Sequence, residues 1–350
     1  MKKKLALLLV LSMALFTLAG CGGGGTDTPA PGDESGDSSD LPSITIELGH
    51  NQPEASAEHD GAVAFKEEIE RLSDGKITVD IYPAMQLGAM REQAEAVQMG
   101  ASQMTLQPVS VLTPFVEEFE VADFPFLWPD EDTMWQVLDN EGGEALFKFA
   151  REKGFEGVSF WASGFKQMTT GNKEIHTPAD LKGMKIRVMP SPLLLAQYET
   201  WGANPIPIEF AELYNALQQK TVDGQENPIG TIALQKYYEV QNNLMLSNHG
   251  FLLYVLVANL DWYNNLPAEY QEMIKEAGKV AADVQRQSLR DKEGGYMQTI
   301  KDSGINIVEF TDSDREAFVE ASKPIYETFA NTPNKVEVLE ALMEAIEKYQ

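Results

Sequence analysis

The sequence predicts an α/β protein of two lobes with a long helix spanning both, and three observations carry that expectation. The chain has 350 residues, 43% of them hydrophobic, enough for about two domains with cores of their own at roughly 100 to 200 residues each. Strand-like alternation is followed repeatedly by helical periodicity. One apolar helical face persists from Pro267 to about Ser303, and a helix of about 35 residues would be about 50 Å long.

The elements follow in order. Ile44, Ile46 and Leu48 alternate with Thr45 and Glu47 as a half-buried strand, and a helical pattern through Ala62, Phe65, Ile69 and Leu72 stops at Ser73-Asp74-Gly75. Ile77, Val79 and Ile81 form a second strand up to Pro83. A helix near 89–99 and a short strand near 102–107 complete a strand-helix-strand-helix-strand series, as in a mainly parallel sheet. A second series begins after Trp161. Thr177-Pro178-Ala179-Asp180 starts a helix with a Thr cap, Pro in the first position and an acid in the first turn, and Gly183 ends it. A strand at Met184–Met189, a helix from about 191, a strand near Asn204–Ile208 and a helix from about 210 to 219 follow. Residues 251–259 form an apolar strand able to return to the first lobe. In the long helix, Tyr270, Met273, Ile274, Ala277, Val280, Ala281 and Val284 are expected on the buried face, with a kink at Gly294-Gly295.

The first twenty residues stand apart. Lys2, Lys3 and Lys4 precede the apolar run Leu5–Leu18, which is signal-peptide length and too short for a comfortable span of about 20 residues. The run ends in Leu18-Ala19-Gly20-Cys21, which resembles the lipobox of bacterial lipoproteins, so the one Cys of the chain is expected to be the lipid anchor and the mature N-terminus. Residues 22–40 are mostly Gly, Ser, Pro and Asp without a large apolar side chain, the composition of a flexible tether. Removing residues 1–20 takes three Lys and no acid, leaving 24 basic against 54 acidic residues and a net charge of -30.

Charge and residue inventory exclude several functions. A formal charge of -27 repels nucleic-acid phosphates and anionic headgroups. His50, His59, His176 and His249 include no pair at metal-ligand spacing, there is no His-Glu-x-x-His, and neither a Gly-x-Ser-x-Gly elbow nor a phosphate-binding Gly loop occurs. Acid runs such as Glu67-Glu68-Ile69-Glu70 read as solvated helix faces. A carboxylate pair for hydrolysis is therefore a poor prospect, and nothing calls for a metal or cofactor.

From Trp161 to Gly250 the blocks TPADLKGMKIRV (177–188), GANP (202–205), ELYNALQQ (212–219), VDGQENP (222–228), YYEVQ (237–241) and SNHG (247–250) stand in sequence. Upstream are GKITVDIYPAMQLG (75–88) and FPFLW (124–128). Together, over about residues 44–330, they resemble the extracytoplasmic solute-binding proteins of tripartite ATP-independent periplasmic (TRAP) transporters, the DctP-type family. The resemblance implies a periplasmic-binding-protein-like clamshell, type II-like, that closes on a small organic anion and passes it to a membrane permease. The expected lobes are 41–163 with 253–292, and 164–252 with 293–350.

Arg187 is the first candidate for the site. It ends the strand before Pro190, at the sheet edge where α/β crevices form, and its guanidinium can hold a carboxylate by two parallel hydrogen bonds. Without the resemblance, a structural ion pair would be the better account of Arg187. With it, the carboxylate clamp is favoured, and Asn227 of the Glu-Asn-Pro motif is implied as a second donor, against an ordinary turn Asn before Pro228. The family commonly has a second Arg where this chain has Lys166, so Lys166 is expected either to touch the ligand at one point or through water, or to be solvated with a less anionic ligand. Phe210 matches the aromatic that packs on the ligand skeleton, with core packing as the competing account. Glu209, if it faces the cleft, disfavours a second carboxylate and favours a hydroxylated monoacid; solvent exposure is the commoner fate of Glu. Asn51 (with His50) and Gln107, at strand ends, and Trp161, as a stacking surface or lobe-boundary packing, complete the candidates. Ala89-Met90 and Gln107-Pro108 stand where acidic-sugar binders of the family carry acids, which argues against a sialic-acid-like ligand. Two other functions compete: a sensory module with the same clamshell, and a surface hydrolase.

Overall fold

The computed structural model describes residues 41–350, so the expected leader, the Cys21 anchor and the tether lie outside the described residues. β1 (Ile44–His50), α1 (Ala57–Leu72), β2 (Ile77–Tyr82), α2 (Met90–Gln98) and β3 (Met104–Pro108) form the expected first series. The apolar positions meet in parallel register, Ile46 against Val79 and Leu48 against Met104. Ser56 caps α1 by accepting from the His59 amide, and the Ser73 hydroxyl closes it on the Ile69 carbonyl. α3 (Val109–Leu112), α4 (Glu131–Leu138) and α5 (Glu141–Glu152) lead to β4 (Phe155–Thr170), whose 16 residues exceed the expected elements of that region.

The second series is β5 (Lys185–Val188), α6 (Pro192–Thr200), β6 (Asn204–Pro207), α7 (Leu213–Gln218), β7 (Gly224–Pro228), α8 (Ile229–Leu234) and β8 (Asn243–Leu246). The helix expected at Thr177–Gly183 is a single 3-10 turn, Pro178–Leu181, capped reciprocally by Thr177 and Asp180. β9 (Phe251–Asn259), α9 (Leu260–Asn264), α10 (Ala268–Asp302), β10 (Asn306–Glu309), α11 (Asp312–Phe329) and α12 (Pro333–Tyr349) end the chain.

Leu41–Gln350 is one compact unit built on two sheets that share β4. The first runs β2-β1-β3-β9-β4 and uses Phe155–Phe165 of β4, with β9 antiparallel to both neighbours. The second uses Lys166–Thr170, pairing β7, with β5 and β6 beyond, on one side and β8, with β10 beyond, on the other. The chain passes between them where β4 carries a bulge at Ala162/Gly164, and Gly164 has φ +113, open only to glycine without strain. This is the two-lobed, periplasmic-binding-protein-like fold.

α10 runs unbroken for 35 residues through Gly294-Gly295, packing on α1 and β4 and then on α8 of the second lobe. Its buried face holds Tyr270, Ile274, Ala277, Gly278, Ala281, Ala282, Gln285 and Leu289, whereas Val280 and Val284 are exposed. The helix meets the sheet through small residues. Gly278 lies where a Cβ would come within hard contact of Val158, so the apolar pattern alone misplaces the face by part of a turn.

One boundary is corrected. α11 packs on α6, in the second lobe, but α12 packs on α4 and α5 of the first, with Val338, Leu342, Ala345 and Ile346 joining the core that holds Leu146 and Phe149. The expected assignment of 293–350 to the second lobe thus fails over its last helix. Amphipathic periodicity reports that a face is covered, not which lobe covers it.

Candidate functional site

The parallel strands of both sheets end toward one cleft. β1 ends at His50, β3 at Pro108, β5 at Val188, β6 at Pro207 and β7 at Pro228. Phe210, just past β6, packs across the cleft on Met90 of α2, Val111 of α3 and Met85, so the lobes are in contact over the site. Ala84 and Met85 both take positive φ at this edge, a strained turn held by hydrogen bonds to the Gln52 and His50 carbonyls.

Arg187 is 1% exposed. Its Nε donates to the Ile208 carbonyl at 2.8 Å, while Nη2 is buried without a partner. Among the described residues, the buried Lys and Arg side chains are Lys166, Arg187, Arg286 and Lys335, and each except Arg187 has a carboxylate within 4.0 Å. Burial lowers the Arg187 pKa, while Tyr237, Glu226 and Glu209 act the other way. A guanidinium does not deprotonate in practice, so its charge stays buried without a carboxylate within 4.0 Å.

Asn227 is also buried, on β7 two residues past Gln225, the register partner of Arg187. A relay fixes its amide. Gln241 Nε2 donates to the Val240 carbonyl, so Gln241 Oε1 accepts from Thr169; Thr169 accepts from Gln225 Nε2, and Gln225 Oε1 accepts from Asn227 Nδ2 at 2.5 Å. The second amide hydrogen of Asn227 remains available to an acceptor.

The other lobe presents amides as well. The Tyr254 hydroxyl donates to Asn51 Oδ1 at 3.1 Å and accepts from Gln52 Nε2 at 3.0 Å. Gln107 Nε2 donates to Gln93 Oε1 and Thr105 Oγ1. Buried and unpartnered here are Gln52 Oε1, Gln107 Oε1, His50 Nδ1 and, from the second lobe, the Tyr237 hydroxyl. Burial raises the Tyr237 pKa against the pull of Arg187, and Tyr237 in turn helps raise that of Tyr254, so these groups share one field.

Lys166 is not solvated, against one of its two expectations. Its ammonium donates to Asp123 at 2.8 Å and lies 3.6 Å from Glu226, all three side chains nearly excluded from solvent. Glu226 also receives His249 Nε2 at 2.7 Å and the Tyr198 hydroxyl at 3.2 Å, and Ser110 donates to Asp123. Burial pushes the Glu226 carboxyl up, but Lys166 and His249 outweigh it and bring the pKa to about 2. Burial lowers Lys166, and its two carboxylates more than reverse that. Trp161 is fully buried, its indole nitrogen donating to Ser159 and its ring lying over Gly61 beside Gln285 of α10, the packing expected as the alternative to stacking. Glu209 is half-buried and lines the rim with Met90, Arg91, Val111, Pro114 and Pro190.

Gln52, Tyr237 and the Asp123–Glu226–His249 network were not singled out from sequence. Tyr237, Glu226 and His249 lie inside the blocks YYEVQ, VDGQENP and SNHG, which was the available signal. Asp123 lies one residue ahead of FPFLW and carried none.

A closed cleft between two α/β lobes, lined by unpaired polar atoms around one uncompensated guanidinium, defines a solute-binding protein. Residues 48–332 match the family described as Bacterial extracellular solute-binding protein, family 7 (DctP), and the chain belongs to that family, whose members serve TRAP transporters for organic acids. It is 33% identical over 289 residues, 82% of this chain and 86% of the relative, to the C4-dicarboxylate-binding periplasmic protein DctP of Rhodobacter capsulatus. Among solved structures it resembles the sugar acid binding protein DctPAm of Advenella mimigardefordensis in complex with galactonate, with a TM-score of 0.83, 32% identity, and coverage of 89% of this chain and 100% of that one. It also resembles a TRAP periplasmic solute-binding protein of Sulfurospirillum deleyianum with bound succinate, with a TM-score of 0.80, 31% identity, and coverage of 89% and 100%.

Proposed function

We propose that this protein captures a small organic acid between its lobes with Arg187 as the carboxylate clamp and Asn227 as a second donor, and hands it to a TRAP permease without transforming it. The observation that carries this reading is the buried Arg187 Nη2 without a partner at the strand-end edge. The only buried Lys or Arg side chain among the described residues lacking a carboxylate is aimed where an anion would sit, and closure removes the water that would weaken the contact. Phe210 supplies an apolar wall that also touches the opposite lobe. The bulge and Gly164 of β4, where the strand changes sheet, are suited to act as hinge.

The leader, the Leu-Ala-Gly-Cys string and the tether composition support an anchored extracytoplasmic protein, lipidated on Cys21. No helix among the described residues is long and apolar enough to cross a membrane. Calorimetry with an organic-acid panel, repeated on Arg187→Ala, tests the reading: the wild type binds an acid and the variant loses most of the affinity. Unchanged affinity would remove Arg187 from the site. Mass spectrometry of the mature protein for diacylglycerol on Cys21 tests the anchor.

A further inference from the structure

Apart from Glu226 Oε1, which lies 3.6 Å from the Lys166 ammonium, the cleft's buried polar atoms without partners differ in kind between the lobes. On the second lobe the free groups include donors, Arg187 Nη2 and the remaining Asn227 amide hydrogen. On the first lobe, they include two amide oxygens, Gln52 Oε1 and Gln107 Oε1. The Gln107 assignment is forced by its neighbours. Gln93 Nε2 donates to the Gly88 carbonyl at 2.8 Å, so Gln93 turns its oxygen to Gln107 and can meet only a donor. The Thr105 hydroxyl is committed to the Gly49 carbonyl, so it too must accept from Gln107. Reversing the Gln107 amide would set oxygen against oxygen, which leaves its Oε1 as the atom without a partner.

A buried carbonyl oxygen without a donor is unfavourable until a ligand hydroxyl supplies one. A second carboxylate brings acceptors only. It would face Gln52 and Gln107 oxygen to oxygen, with Glu209 at the rim; the Lys166 ammonium is held by Asp123 and Glu226, and the rim guanidinium of Arg91 is bonded to Glu95.

Resting on the Arg187 capture proposed above, we infer that the ligand is a polyhydroxylated monocarboxylate of the aldonic-acid type, with its carboxylate on Arg187 and Asn227 and its hydroxyls donating to Gln107 and Gln52. His50 Nδ1 and the Tyr237 hydroxyl are placed to serve further hydroxyls.

The test is calorimetry on the protein, unfolded and refolded to strip carried-over ligand, with D-gluconate, D-galactonate and D-erythronate against succinate, L-malate and hexanoate. One or more of the polyhydroxy acids should bind at least ~100-fold more tightly than succinate, malate and hexanoate, since a site built around several ligand hydroxyls rejects analogues that lack them, as succinate and hexanoate do, or that offer one beside a second carboxylate, as malate does. Deoxygenated forms of the tightest acid, titrated into the wild type, should lose at least ~10-fold at a hydroxyl that meets Gln107, a readout independent of whether any variant folds. Gln107→Leu should cost the parent acid a similar factor and spare its deoxy form. Succinate or malate binding as tightly as the polyhydroxy acids, and lost in Arg187→Ala, would overturn the hydroxylated class while leaving capture by Arg187 standing. Hexanoate as tight as gluconate would do the same. No carboxylate binding, or binding indifferent to Arg187→Ala, would bring down both.

Discussion

The Lys166 ammonium meets Asp123 at 2.8 Å with the two side chains 2% and 1% exposed, and the pair joins segments that only folding brings together. Asp123 lies between α3 and α4 of the first lobe, Lys166 lies on the shared strand β4 at its entry to the second sheet, and Glu226, the second partner, belongs to β7. The triad therefore ties the first lobe to the second across the crossover strand. Removing one member leaves a buried charge without compensation.

Lys166→Met should accordingly lower the unfolding free energy by about 3–5 kcal/mol, because both Asp123 and Glu226 lose their cation. Asp123→Asn should cost less, since Glu226 remains with Lys166. Urea unfolding of the two variants measures this, and a Lys166→Met loss below about 1 kcal/mol would mean that water or His249 takes over the role of the ammonium.

Arg187 should behave in the opposite sense. In the ligand-free protein its charge is buried with one hydrogen bond, to Ile208, and no counter-ion. Arg187→Met removes an unfavourable charge together with that bond, so its ligand-free stability should lie within about 1 kcal/mol of wild type or above it. Stabilisation by saturating ligand should vanish. Thermal unfolding with and without ligand separates the two effects, and a variant several kcal/mol less stable without ligand would show Arg187 to be structural.

The strands β1, β2, β3, β5 and β6 were legible because each carries a short apolar pattern bounded by Gly, Pro or Ser. β4 was not, since Gly157 and Gly164 interrupt it and the interruption is read as an end. They are accommodations instead: Gly157 gives way to the Phe147 ring, and Gly164 turns the strand from one sheet into the other. Arg187 and Asn227 were legible as chemistry at a strand end. Lys166 and Trp161 were each left with two readings, of which the solvated Lys166 fails, because a charge and an indole look the same in sequence whether a cleft or a core surrounds them. The partner that decides Lys166, Asp123, lies 43 residues away.

His50 gives the protein an acid limb. Burial, with His59 as a lesser contribution, lowers its pKa to about 3, so the folded protein keeps it neutral where the unfolded chain takes up a proton. Between about pH 6.5 and 3 the unfolded state binds more protons, and stability falls as pH falls, by at most about 1.4 kcal/mol per unit. Above pH 6.5 the effect is absent. Glu226, depressed to about 2, withdraws its own contribution only below its unfolded value near 4.5. Over pH 6.5 to 5 His176, raised by Asp314 and Glu174, and the carboxyls of Glu58 and Asp123, raised by burial, act in the opposite sense, so the test is a difference: lowering the pH should cost His50→Gln less stability than wild type. An unchanged slope would assign the acid limb to other groups.

Gln285 offers the sharpest test of how α10 holds the crossover strand. It is fully buried on the helix, and its amide closes on one residue of β4, with Oε1 accepting from the Ala162 amide at 2.8 Å and Nε2 donating to the Ala162 carbonyl at 2.6 Å. Ala162 stands at the bulge, where the register against β9 slips. Gln285→Leu keeps the volume and orphans two buried backbone groups, at about 1–3 kcal/mol each. Gln285→Glu keeps the acceptor for the Ala162 amide and loses the donor, so it should fall between Leu and wild type, with a buried carboxylate adding to its cost. Hydrogen exchange locates the damage: the Ala162 amide should lose protection in Gln285→Leu well beyond the change at Leu256 or Val257 on β9. Uniform loss of protection along both strands would mean that the helix stabilises the whole sheet and not this bend.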